Sequence, residues 1–129
     1  MFAQALTARW QVTAATGLVC AGLALPCAAQ TLECPTPQGV HGPGVLKETL
    51  IQIAQTGSLL ASGDSVNRAP EVVADLRRRY PGFGDAEIQN YLVTAYCPVV
   101  AKLSGLSVAE QQGRVEQFAK QASIAVYGH

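Results

Sequence analysis

Charge is scarce in this 129-residue chain. Lys, Arg, Asp and Glu together make up 14% of it, nine bases against nine acids, for a formal net charge of zero. That balance gives no electrostatic case for nucleic acid as a partner. Histidine is nearly absent too. His41 lies in a glycine-rich stretch and His129 is the last residue. A catalytic base must be held in place by packing and by its own hydrogen bonds, and neither position promises that. The acids are scattered, and Glu48, Glu71 and Asp75 read as solvated surface charges rather than as a catalytic pair. No C-x-x-C pair occurs, which weakens a thiol oxidoreductase reading, and no C-x-x-C-H occurs, which excludes covalently attached haem of the c type. Cys34, His41 and Cys97 lack the two close ligand pairs that zinc sites usually show. No catalytic residue, metal or other cofactor is expected.

What the chain has in quantity is apolar residues, 49% of the total, with a mean hydropathy of +0.18. Much of the excess lies at the front. Arg9 precedes an apolar run from Val12 to Leu25, and Pro26 breaks it ahead of Cys27-Ala28-Ala29. The run is shorter than the roughly 20 residues a membrane span needs, and small residues follow it, as in a cleaved secretory signal. Residues 1–29 are therefore expected to be removed, with export to the periplasm and no membrane span in the mature form. Lipidation at Cys20 or Cys27 is a minor alternative, because Val19 and Pro26 are poor residues to precede a lipidated cysteine.

Removal of the signal turns four cysteines into two, Cys34 and Cys97. An even pair in an exported protein is most simply a disulfide. Residues 30–44 are rich in proline and glycine without a hydrophobic period, and read as an extended strap. Cys34 would tie that strap to the rest.

Residues 45–129 carry helical patterns throughout. In Tyr80–Leu103 the apolar residues Ile88, Tyr91, Leu92, Ala95, Tyr96, Val99, Val100 and Leu103 recur in steps of three and four. They cover an arc of about 180°, wider than an ordinary surface helix shows, so this is the central helix. Asp85 is placed to cap it. Cys97 projects about 150° from the middle of the arc, on the back of the helix. Pro98 leaves the carbonyl of Thr94 without a helical donor. A kink there, or two short helices, is expected, with Tyr91 or Tyr96 as a donor to the freed oxygen.

Val45–Ala61 points Leu46, Leu50, Ile53 and Leu60 inward with Ala54 alongside, and places Pro43 in its first turn. Gly57 either lets a neighbour approach closely or splits the segment. Arg68–Arg79 is a shorter helix with Asn67 as its cap, Pro70 in its first turn, and Val72, Val73 and Leu76 inward. Gly105 is suited to the left-handed conformation that follows a helix. Ser107-Val108-Ala109-Glu110 is a capping box for a last helix with Val115, Phe118, Ala119, Ala122 and Val126 on one face. The fold class is all-α: a small four-helix bundle with an extended N-terminal strap tied by one disulfide.

Arg77-Arg78-Arg79 is the one charge cluster. It reads either as a contact for an anion or acidic partner or as bases complementing a helix C-terminus. Phe83, in a Gly-Phe-Gly turn, either caps the core or stands exposed as a contact point.

The Tyr80-Pro81-Gly82 turn, Asn90-Tyr91-Leu92 and Ala95-Tyr96-Cys97-Pro98 resemble segments of small uncharacterised exported proteins of proteobacteria. The likeness extends over most of the mature chain and implies a periplasmic home without implying an activity. The plan is also similar to the acid-stress chaperones of enteric bacteria, at the level of fold alone and with no shared motif. Three functions follow as expectations. The first is a non-enzymatic, partner-binding or envelope-accessory domain. The second is an acid- or stress-responsive chaperone. The third is a small enzyme or ligand carrier with a site near Pro98.

Overall fold

The computed structural model describes residues 30–36 and 47–128. The expected signal segment with Cys20 and Cys27, the rest of the expected strap with His41 and Pro43, Val45, Leu46 and His129 lie outside the described residues. Four helices follow one another: α1 Leu50–Ala61, α2 Ser65–Arg79, α3 Asp85–Ala101 and α4 Val108–Tyr127. No strand occurs among the described residues. The bundle and its disulfide are those the hydrophobic periods and cysteine positions lead one to expect.

α3 is the central helix. It packs most extensively on α1 and α4, while α2 lies chiefly against α4. Ile88, Tyr91, Leu92 and Ala95 from α3 meet Ile53 and Leu60 from α1, Val72, Val73 and Leu76 from α2, and Phe118, Ala122 and Val126 from α4 in one buried cluster. Cys97 is 1% exposed yet stands outside that cluster. It sits on the back of α3 and is bonded there to Cys34, with the two Cα atoms 5.6 Å apart. The bridge spans 63 positions of sequence. Closing a loop of that length in the unfolded chain is worth about 4 kcal/mol.

Several boundaries differ from expectation, each for a local reason. α1 begins at Leu50, because Thr49 and Gln52 form a capping box: each side chain bonds the other's backbone N–H. Leu50 is 70% exposed rather than buried, and Ala54 is exposed as well. The rotation of α1 is set by Gly57, which faces α3. A Cβ at Gly57 would stand 2.0 Å from the carbonyl oxygen of Ala95. No residue with a side chain fits there, so the glycine marks the middle of the contact and the leucines take what faces remain.

α2 begins at Ser65, three residues before the expected start, and Asn67 lies inside it with its amide on the Asp64 carboxylate. Pro70 is therefore beyond the first turn. Its missing N–H leaves the carbonyl of Val66, an exposed residue, without its helical donor. In α3 the cap is the extended Gly84; Asp85 is the first helical residue and makes no cap bond. α3 runs unbroken through Pro98, so two short helices do not form. α4 opens with the expected Ser107–Glu110 capping box, and Gly105 ahead of it has φ +84°.

The α1–α3 approach carries a direct test. Gly57→Ala adds about 1 kcal/mol of helix propensity, but it forces the helices apart. Overpacking at a backbone contact costs about 1–3 kcal/mol. Urea unfolding is expected to show a net loss of stability for Gly57→Ala and a larger one for Gly57→Val.

Candidate functional site

Glu48 is one residue ahead of the α1 cap, and only 3% of it is exposed. A carboxylate so far from water must be matched by charge and by hydrogen bonds. Arg79, the last residue of α2, supplies the charge through its Nη1 nitrogen. The Tyr80 hydroxyl donates to Glu48 Oε1 at 2.9 Å. The Tyr91 hydroxyl lies 3.4 Å from Glu48 Oε2 and 3.1 Å from Thr56 Oγ1. A tyrosine has one proton, so Tyr91 donates to the carboxylate and accepts from Thr56. The end of α2 and the middle of α3 thus converge on the Glu48 side chain, and Thr56 of α1 joins them through Tyr91.

Arg79 also donates from Nε to Asp75 Oδ2 at 2.7 Å and lies 5.3 Å from the centre of the Tyr80 ring. Burial works against its charge, but the bonds to Glu48 and Asp75 outweigh that and hold its pKa above the ordinary value. Its hydrogen bond to Asp75 lowers that carboxyl below its usual range, helped by Arg78. The support that Asp75 gives to folding is present above the ordinary carboxylate pKa and is lost as pH falls through the lowered one. Burial, with the Glu48 charge beside it, raises the Tyr80 phenol. Burial pushes Tyr91 up to about 12, against the pull of the Thr56 bond.

Glu48 and Asp75 are thus partners of one arginine rather than free surface charges. Nothing in the residues around Glu48 reveals its burial, because its partners lie 31, 32 and 43 positions away. The one local signal is the Thr49-x-x-Gln52 box, which places Glu48 just outside a helix start.

The three arginines are all engaged. Arg77 reaches Asp85 Oδ1 at 2.8 Å and the Val126 carbonyl at 2.7 Å, tying the end of α2 to the start of α3 and the end of α4. Arg78 pairs with Asp75 and Arg79 with Asp75 and Glu48. Phe83 is half-buried against the core, edge-on to Tyr80 with ring centres 5.7 Å apart. It caps the core. Gln111, which the apolar pattern of α4 did not single out, is buried, and its amide lies 3.4 Å from the carbonyls of Ala101 and Leu103 at the end of α3.

Near Pro98 neither tyrosine bonds the freed carbonyl. Tyr91 turns to Glu48, and Tyr96 stacks on Phe118 with ring centres 4.0 Å apart and planes 18° apart. That stacked pair belongs to a cleft of about 280 Å³, lined also by Ser65, Arg114, Gln117 and Gln121. No group of three metal-ligating side chains occurs among the described residues. None of the described helices is long and apolar enough to cross a membrane. Comparison with protein-family models, curated proteins and solved structures returns no match.

Tyrosine ionisation tests the polar cluster. Absorbance titration is expected to show one phenol ionising near 12, absent in Tyr91→Phe. The fold favours the neutral phenol, so the stability that Tyr91 lends is complete below the ordinary value of 10.0 and falls away as pH climbs towards 12.

Proposed function

We propose that the chain is an exported, non-enzymatic helical domain that acts in the periplasm by binding a protein partner. The observation that carries this reading is the outer surface of α1. The helix Leu50–Ala61 contains no charged residue. Leu50, at 70%, and Ile51, at 71%, point outward from it, with Leu59 also exposed. Single exposed apolar residues are ordinary, but several on one uncharged helix are what an apolar helix or strand of a partner would cover. The Cys34–Cys97 bridge supports export, since such bonds persist in oxidising compartments. The buried carboxylate supports the absence of acid–base work: Arg79 and two phenols already occupy Glu48.

A photocrosslinking residue at position 51, in the chain expressed with its leader, is expected to give a discrete periplasmic adduct that Leu59→Lys abolishes. The same adducts from a crosslinker at the exposed Gln112 on α4 would contradict the proposal.

A second reading, an acid-responsive periplasmic chaperone, is favoured by the Asp75–Arg79 pair: the support that Asp75 lends to the fold is lost as pH falls through its lowered pKa. Apolar-dye binding is then expected to rise as pH falls from neutral to about 2–3, and Asp75→Asn is expected to bind dye at milder acidity than the wild-type chain. Flat dye binding in the wild-type chain would remove this reading.

A further inference from the structure

The outward face of α1 has an internal order. Ile51, Gln55 and Leu59 recur in steps of four and are all exposed, so they form one ridge, with the small Ala54 and Ser58 beside it. The polar groups around that ridge are already engaged. The Ser58 hydroxyl donates to the carbonyl of Ala54 at 3.0 Å. Thr49 and Gln52 are held in the capping box. Gln55, in the middle of the ridge, bonds no other described side chain.

The exposed charges nearest in sequence bracket this face with opposite signs. Lys47 lies three residues before α1 and Asp64 three residues after it, and both are exposed. Glu48 is closer but is buried on Arg79. Lys47 forms no ion pair among the described residues, and the Asp64 carboxylate holds only the Asn67 amide. The Lys47 carbonyl accepts from the Tyr80 hydroxyl at 3.2 Å, which fixes that end of the face to the bundle.

A second α1 laid antiparallel across the first, with a two-fold axis at Gln55, pairs each of these groups. Ile51 of each copy lies opposite Leu59 of the other, since both stand the same distance from the axis. The two Gln55 amides meet on the axis, and an amide offers both a donor and an acceptor to its own copy. Lys47 of each copy comes to the end of the face where Asp64 of the other stands. A parallel pairing would set like charges together instead. The helix carries no charge and the chain is neutral, so net charge does not keep copies apart. A two-fold contact must be complementary to itself, and this face is. We propose that the partner of α1 is a second copy of this chain, in an antiparallel dimer centred on Gln55. The dimer rests on the partner-binding reading of α1 and names the partner. A helix of 12 residues is about 18 Å long, so the face falls short of the roughly 800 Å² per side of a standard interface, and the dimer is weak.

The test is sedimentation equilibrium of the full chain, expressed with its leader and with the disulfide intact. A monomer–dimer equilibrium is expected, with a midpoint of about 10–100 µM, as suits an interface of this size. Ile51→Lys, at a position 71% exposed, keeps the helical circular dichroism and weakens the dimer about tenfold or more, because it buries an unpaired charge. Lys47→Glu and Asp64→Lys are each expected to weaken it about fivefold, because like charges then meet at both ends. Mixed together, these two variants are expected to regain the wild-type midpoint, which damage to the fold could not produce. A chain that stays monomeric at about 1 mM, a dimer indifferent to Ile51→Lys, or a mixture no tighter than its components would overturn the proposal. The photocrosslinking residue at position 51 separates the dimer from the broader reading. An adduct of twice the chain's mass supports the dimer. An adduct of any other mass refutes the dimer and leaves α1 with a different partner, and no adduct refutes both.

Discussion

Glu48 is a carboxylate buried just ahead of α1. Taking a charge out of water costs several kcal/mol unless it is paired and bonded. That cost falls only when Arg79, Tyr80 and Tyr91 stand where they do. The end of α2 must therefore lie beside the start of α1, and the middle of α3 must lie beneath both. Apolar packing alone tolerates small slides between helices; a buried charge with three assigned partners does not. The pair is weak evidence for added stability, because an apolar replacement of the same shape could do as well. Its geometry fixes the lead-in to α1 against the end of α2 and the middle of α3.

The disulfide does the complementary task on the opposite surface of α3. Cys34 holds the extended residues 30–36 against the back of the helix, away from the main cluster. Glu48 holds the chain again fourteen positions later. One anchor is covalent and the other ionic. Cys34 thus meets α3 at Cys97 and Glu48 meets it at Tyr91, while Gly57 lets α1 press close to it. α3 is enclosed because of what its neighbours bring to it.

Much of this was legible in the residues. The arc of apolar positions in α3, the placement of Cys97 behind it, the Ser107–Glu110 box and the positive φ of Gly105 follow from spacing and residue type alone. What escaped has a common cause. The partners of Glu48 and the exposure of Leu50 are set by contacts far along the chain, and no local pattern encodes them. Gly57 shows the same limit: its neighbours permit either a close approach or a break, and only the carbonyl of Ala95 decides. The start of α2 is a different case. Pro70 and Asn67 suggest a late start, but Ser65 and Val66 join the helix, with Val66 at its exposed surface. The cleft at Tyr96 was out of reach for the same reason as Glu48, since its lining residues come from three helices.

The coupling between Glu48 and Arg79 holds the start of α1 to the end of α2, and a double-mutant cycle measures it. Unfolding free energies are needed for the wild-type chain, Glu48→Gln, Arg79→Met and the double variant, all with the disulfide intact. Losing one partner of a fully buried pair costs about 3–5 kcal/mol; with Arg79 37% exposed, screening brings the expected single losses to about 2 kcal/mol. The double variant is expected to lose less than the two together, with a coupling of about 1 kcal/mol or more. Losses that add to within about 0.3–0.5 kcal/mol would mean that the two groups do not act on each other, and that something else sets the arrangement of α1.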